Sequence, residues 1–125
     1  MKAIVITSLV TLLIIVSGVF LFSRNNSEPV PSYPLPEVDE YFWGEGCPHC
    51  KNVDDFIVSW EKKDSYKFTS LEAWNNKENE NRLVSRVVSC NLPKKNIAVP
   101  MLFTTEGKCI MGDTPIIDYL KGLSL

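Results

Sequence analysis

The chain lacks any excess of positive charge: 13 Lys and Arg stand against 15 Asp and Glu, giving a formal charge of −2 and a pI near 5.4. Phosphate backbones are bound by a basic face. No stripe of Lys or Arg runs along any segment, so nucleic acid is excluded as a partner. Histidine occurs once and cysteine only four times, which makes the cysteines the informative positions. There is no internal repeat, and 125 residues leave room for one domain. A domain of this size hides a smaller fraction of its surface than a large one, so a fold of few elements, acting as a monomer, is expected.

What is present begins with a long apolar run. Ala3–Phe22 carries no charge and is rich in Ile, Val and Leu, with Thr7, Ser8, Thr11, Ser17 and Gly18 its only softer positions. About 20 such residues span a bilayer core as a helix; a core helix this apolar would need a larger protein around it. Lys2 resembles a signal-peptide n-region, and Ser17 or Ser23 are small enough for a cleavage site, but no Ala-x-Ala follows the run. Residues 1–23 are therefore expected to form a transmembrane anchor or uncleaved signal sequence. Lys2 before it and Arg24 after it point to a cytoplasmic N-terminus and an extracytoplasmic domain. Residues 24–36, with Pro29, Pro31, Pro34 and Pro36, read as a semi-stiff linker holding a folded unit, 37–125, away from the membrane.

Within that unit the hydrophobic period alternates between strand and helix. Val38–Trp43 is a short apolar and aromatic run stopping at Gly44-Glu45-Gly46, as a buried strand stops at a loop. Cys47 then caps a helix with Pro48 at its first position, and Val53, Phe56, Ile57 and Trp60 form one stripe. Tyr66–Leu71 reads as a second, parallel strand. Leu83, Val84, Val87 and Val88 mark a second helix, with Glu78 and Glu80 in its first turn and Pro93 beyond its end. Ala98–Thr104 and Lys108–Met111 are strands joined through Thr105-Glu106-Gly107. A last helix is expected with Thr114 as cap, Pro115 first, and Ile116, Ile117, Leu120 and Leu123 buried. The expected class is α/β, ordered βαβ-α-ββ-α, with a four-stranded mixed sheet flanked by helices and preceded by one transmembrane helix.

Cys47-Pro48-His49-Cys50 carries the chemistry. A cysteine at a helix start lies beside the unpaired amides of the first turn, where the dipole favours an anion. Thiolate is the attacking form, so Cys47, at an exposed cap, is the expected nucleophile. Cys50, three residues on and facing inward, is the resolving thiol. His49, when protonated, adds positive charge near the sulfur, which makes the disulfide easier to reduce and the protein more oxidising. The four residues are the candidate catalytic set. Cys-x-x-Cys is also half of a zinc site, and a metal-binding or metallochaperone domain is the alternative. Cys90 and Cys109 lie too far apart in sequence to form the usual second pair. In an oxidising compartment these two are either bridged or packed as separate buried thiols. Trp43 either shields the thiols or packs in the core. Lys51 and Glu45 flank the motif as exposed charges with no assigned role.

With this arrangement the sequence resembles the thioredoxin superfamily, and its small glutaredoxin-like members most closely, over Val38–Leu123. Three segments carry the resemblance: Phe42-Trp43-Gly44 leading into the Cys-Pro-His-Cys motif, Ala98-Val99-Pro100, and Met111-Gly112-Asp113. The resemblance implies a thioredoxin/glutaredoxin-like fold, a cis bond between Val99 and Pro100 beside the active-site disulfide, and substrate pairing along the Val99 backbone. It also implies a redox-active disulfide in place of a bound cofactor. His49 and Ala98 depart from the Cys-Pro-Tyr-Cys and Thr-Val-Pro of glutaredoxins, which weighs against glutathione as partner, and Cys-Pro-His-Cys looks more like the periplasmic disulfide donors. The expected activity is that of a membrane-anchored thiol-disulfide oxidoreductase acting on protein or small-molecule thiols and disulfides.

Overall fold

Strand β1, Asp39–Trp43, is the axis of the sheet, because its side chains alternate between two buried faces. A computed structural model describes residues 30–124 without a break and, before them, Met1, Ile6, Ser8, residues 10–15 and Ser17. β1 is followed by α1 (Pro48–Ser59), β2 (Phe68–Glu72), α2 (Lys77–Ser89), a 3₁₀ turn (Lys94–Asn96), β3 (Met101–Phe103), β4 (Cys109–Met111) and α3 (Asp113–Lys121). The strands form one mixed sheet in the order β2-β1-β3-β4. β1 runs parallel to β2 and antiparallel to β3, and β3 antiparallel to β4.

Alternation sends Phe42, Met101 and Phe103 to one face, where Ala73 and the α2 residues Leu83 and Val87 cover them. Tyr41 and Leu102 point to the other, against Val53 of α1 and Ile116 and Leu120 of α3. Helices therefore lie on both sides of the sheet, and the α/β order read from the sequence is present.

Boundaries shift where a polar contact outweighs hydrophobic pattern. β2 begins at Phe68, two residues later than the pattern suggests. The Tyr66 amide instead donates to the Lys62 carbonyl at 3.1 Å, closing the turn before the strand, and the Tyr66 hydroxyl donates to Asp39 Oδ2 at 2.6 Å. Asp39 is buried at 6 % exposure and also accepts from the Thr105 amide at 2.8 Å. α2 is capped by Asn76, whose side chain accepts from the amides of Glu78 and Asn79. α3 begins at Asp113, with Gly112 at φ 90° as its cap, so Thr114 is not the cap and Pro115 sits two positions deeper than expected. Proline is tolerated there because amides in the first turn have no partner within the helix.

One further expectation is corrected. Among the described residues no helix is long and apolar enough to cross a membrane, which overturns the transmembrane helix placed before the domain. Ser23, Arg24 and the first part of the 24–36 linker lie outside the described residues. At the described end of that linker the Tyr33 carbonyl accepts from Arg86 Nη1 at 3.1 Å, and the Tyr33 ring lies 4.9 Å beneath the Arg82 guanidinium. Both arginines also bind Glu40, which is 2 % exposed.

Candidate functional site

The loop after β1 folds back sharply enough for the Cys47 amide to donate to the Gly44 carbonyl at 3.1 Å. Gly46 makes the reversal at φ 77°, a backbone region that costs glycine little. This turn places Cys47 as N-cap of α1 with Pro48 at the first position, where a missing N–H has no consequence. The Cys50 amide donates to Cys47 Sγ at 3.1 Å. Cys47 and Cys50 are joined in a disulfide with their Cα atoms 5.3 Å apart. The cap is less open than expected: Cys47 is 7 % exposed and Cys50 1 %. Cys47 remains the more accessible of the two. Once the pair is reduced, the Cys50 amide and the dipole of α1 favour a thiolate at Cys47.

Val99 and Pro100 are joined by a cis peptide bond, and the Val99 carbonyl oxygen is 3.9 Å from Cys47 Sγ. The Gly112 amide donates to the Pro100 carbonyl at 2.9 Å, so the start of α3 is fastened to the same corner. Asp113 follows directly. Its Oδ2 lies 3.0 Å from His49 Nδ1 and accepts from Asn52 Nδ2 at 2.6 Å, while Oδ1 accepts from the Thr114 amide. The hydrogen bonds from Asn52, His49 and Thr114 hold the Asp113 carboxyl down at about 2. His49 is thus tied to α3, with 68 % of its side chain in solvent.

Beneath α1, the Tyr41 hydroxyl donates to the Cys50 carbonyl oxygen at 3.2 Å, and the Asp54 carboxyl acts on it electrostatically. Desolvation by burial pushes up both the Tyr41 hydroxyl and the Asp54 carboxyl. On the opposite side Glu72 accepts from the amides of Glu45, Trp74 and Asn75 at 3.3, 3.0 and 2.8 Å. Desolvation raises the Glu72 carboxyl, but these amides, with that of Asn76, outweigh it and hold the carboxyl below its ordinary range. Trp74, 58 % exposed, lies against Gly44 so closely that a Cβ there would sit 2.2 Å from the ring. Ala73, Trp74, Leu83 and Ile97–Val99 line an open cleft of about 260 Å³, with Glu80 at its wall.

The structure therefore brings together Cys47, Pro48, His49, Cys50, Val99 and Pro100. Trp43 packs with the Tyr41 and Val53 cluster, and Trp74 is the tryptophan beside the active loop. Lys51 is paired with Asp55 at 2.8 Å. Cys90 and Cys109 are joined in a second disulfide, Cα atoms 6.2 Å apart, against the Phe42 cluster. Sequence reasoning passed over Asn52, Asp54, Tyr41, Glu72 and Trp74, and named Asp113 only within the Met111-Gly112-Asp113 segment, without a role at the site. Only Asp54 carried a local signal, four residues after Cys50 and so on the same helix face. No family model, curated protein or solved structure matches the chain.

Proposed function

We propose that the chain is a thiol-disulfide oxidoreductase of the thioredoxin superfamily, exchanging disulfides with protein or small-molecule thiols through Cys47 and Cys50. The observation that carries the reading is the Cys47–Cys50 disulfide at the start of α1, with the Cys50 amide on Cys47 Sγ. In the reducing direction the Cys47 thiolate attacks one sulfur of a substrate disulfide. A mixed disulfide forms, and the other substrate sulfur leaves as a thiolate that takes a proton from water. The Cys50 thiol loses its proton and attacks Cys47 Sγ, the second substrate thiolate departs, and two electrons have passed from the pair to the substrate. Disulfide donation is the same sequence reversed. The Val99 carbonyl beside Cys47 is placed to accept a hydrogen bond from an extended substrate backbone. The Cys90–Cys109 disulfide supports an oxidising, extracytoplasmic setting.

Among the described residues no three His, Cys, Asp or Glu side chains form a group able to hold a metal ion, so no observation favours the metal-binding alternative. The test is Cys50→Ala in the full chain, incubated with a disulfide-bonded protein substrate. Mixed disulfides at Cys47, mapped by mass spectrometry under non-reducing conditions, are the expected result. Their absence, together with a parent pair that neither oxidises nor reduces across thiol buffers, overturns the reading.

A further inference from the structure

A Cys-Pro-His-Cys motif with an unopposed histidine would place a cation near the attacking sulfur. Here the histidine is opposed. His49 Nδ1 and Asn52 Nδ2, on the outward side of the first two turns of α1, converge on one oxygen of Asp113. Asp113 comes from the first turn of α3, 64 residues away in sequence from His49. Its position is not free to drift, because Gly112 before it is bonded to the Pro100 carbonyl and its own Oδ1 accepts from Thr114. The carboxyl is ionised at neutral pH, being held at about 2.

We infer that Asp113 is a positioning and charge-balancing residue of this site: its carboxylate holds the His49 ring at α3 and offsets an imidazolium there. A protonated His49 then presents Cys47 with a near-neutral pair in place of a lone cation, and the disulfide is less oxidising than the motif alone implies. The inference rests on the reading of Cys47 and Cys50 as a redox pair. The remaining charges near the motif are already committed. Lys51 is paired with Asp55, Glu72 is bound to backbone amides, Asp54 meets the Tyr41 hydroxyl, and Glu45 accepts from the Asn75 side chain. Because the paired atoms of His49 and Asp113 are 3.0 Å apart, the two groups act on Cys47 from nearly one place and with opposite sign.

The experiment measures the Cys47–Cys50 reduction potential at pH 7 in four full-length proteins: the parent, His49→Ala, Asp113→Asn and the double variant. Asp113→Asn is expected to shift the exchange equilibrium about tenfold toward the reduced pair, about 30 mV more positive. His49→Ala is expected to shift it in the opposite direction, and the double variant to return close to the parent. The pH at which Cys47 becomes reactive to an alkylating agent should fall in Asp113→Asn and rise in His49→Ala. A purely structural Asp113 would lower the melting temperature without this pattern of opposite signs. Singles that shift the same way, or a double variant no nearer the parent than either single, would overturn the inference while leaving the oxidoreductase reading intact. A parent pair that does not titrate would remove both. If Asp113→Asn does not fold, Asp113→Ser, which keeps an oxygen acceptor at the helix start, is read in the same cycle.

Discussion

Arg86 offers a sharp test of what holds the sheet to α2. It is 3 % exposed and sits on α2 over Glu40 of β1, which is 2 % exposed. Nε and Nη2 donate to the two Glu40 oxygens at 2.8 and 3.2 Å, Nη1 donates to the Tyr33 carbonyl, and the guanidinium stacks 4.5 Å over the Phe103 ring. Replacing Arg86 with methionine keeps most of the apolar bulk and leaves a buried carboxylate short of its main partner. Breaking a buried pair costs about 3–5 kcal/mol. Arg82, still 3.1 Å from Glu40, retains part of the compensation, which puts the expected loss at the lower end, about 3 kcal/mol. In a domain of this size that lowers the melting temperature by roughly 12–24 °C. Replacing both residues, Glu40→Leu with Arg86→Met, removes the unpaired charge and is expected to recover most of the loss. Urea unfolding followed by circular dichroism measures all three proteins. An Arg86→Met protein within 1 kcal/mol of the parent (roughly the worth of an exposed pair), or a double variant no more stable than the single, would refute the assignment of Glu40 and Arg86 as a buried pair.

Two other outcomes follow from the same geometry. The Cys90–Cys109 bridge closes a loop of sequence separation 19, and chain entropy alone makes such a loop worth about 3 kcal/mol; Cys90→Ala with Cys109→Ala should lose about that much in oxidising buffer, and an unchanged denaturation midpoint would count against it. Asp113 and Glu72 both have folded carboxyls below their ordinary values, Asp113 at about 2. Each therefore contributes stability that is complete above the unfolded carboxyl range, near pH 4, and is lost as pH falls through the folded value. Acid unfolding of Asp113→Asn should be flatter than that of the parent between pH 4 and 2, and parallel profiles would contradict the shift.

Several elements were legible in the chain because their causes are local. Cys47 with Pro48 announces a helix start since the cap and the missing proline amide act within one turn. Val53 and Phe56 of α1, and Leu83 and Val87 of α2, repeat with the helical period, and Thr105-Glu106-Gly107 turns where Gly107 takes φ 81°. The ends of β2 and α3 were less legible. Tyr66 is claimed by Asp39 across the sheet, and Gly112 by the Pro100 carbonyl, and neither partner is a sequence neighbour.

By itself, then, the sequence determined the order of strands and helices and the place of the Cys-x-x-Cys motif at a strand-to-helix junction, because backbone propensity, capping and hydrophobic period are properties of adjacent residues. Only the tertiary structure decided that His49 is answered by Asp113, that Cys90 meets Cys109, and that Arg86 is buried on a stripe expected to be aliphatic. The apolar N-terminal run, read as a membrane span from composition, has no helix of that length among the described residues. Hydrophobicity states what a segment can tolerate, whereas partners separated by many residues are set by how the layers pack, and the charge balance beside Cys47 depends on those partners.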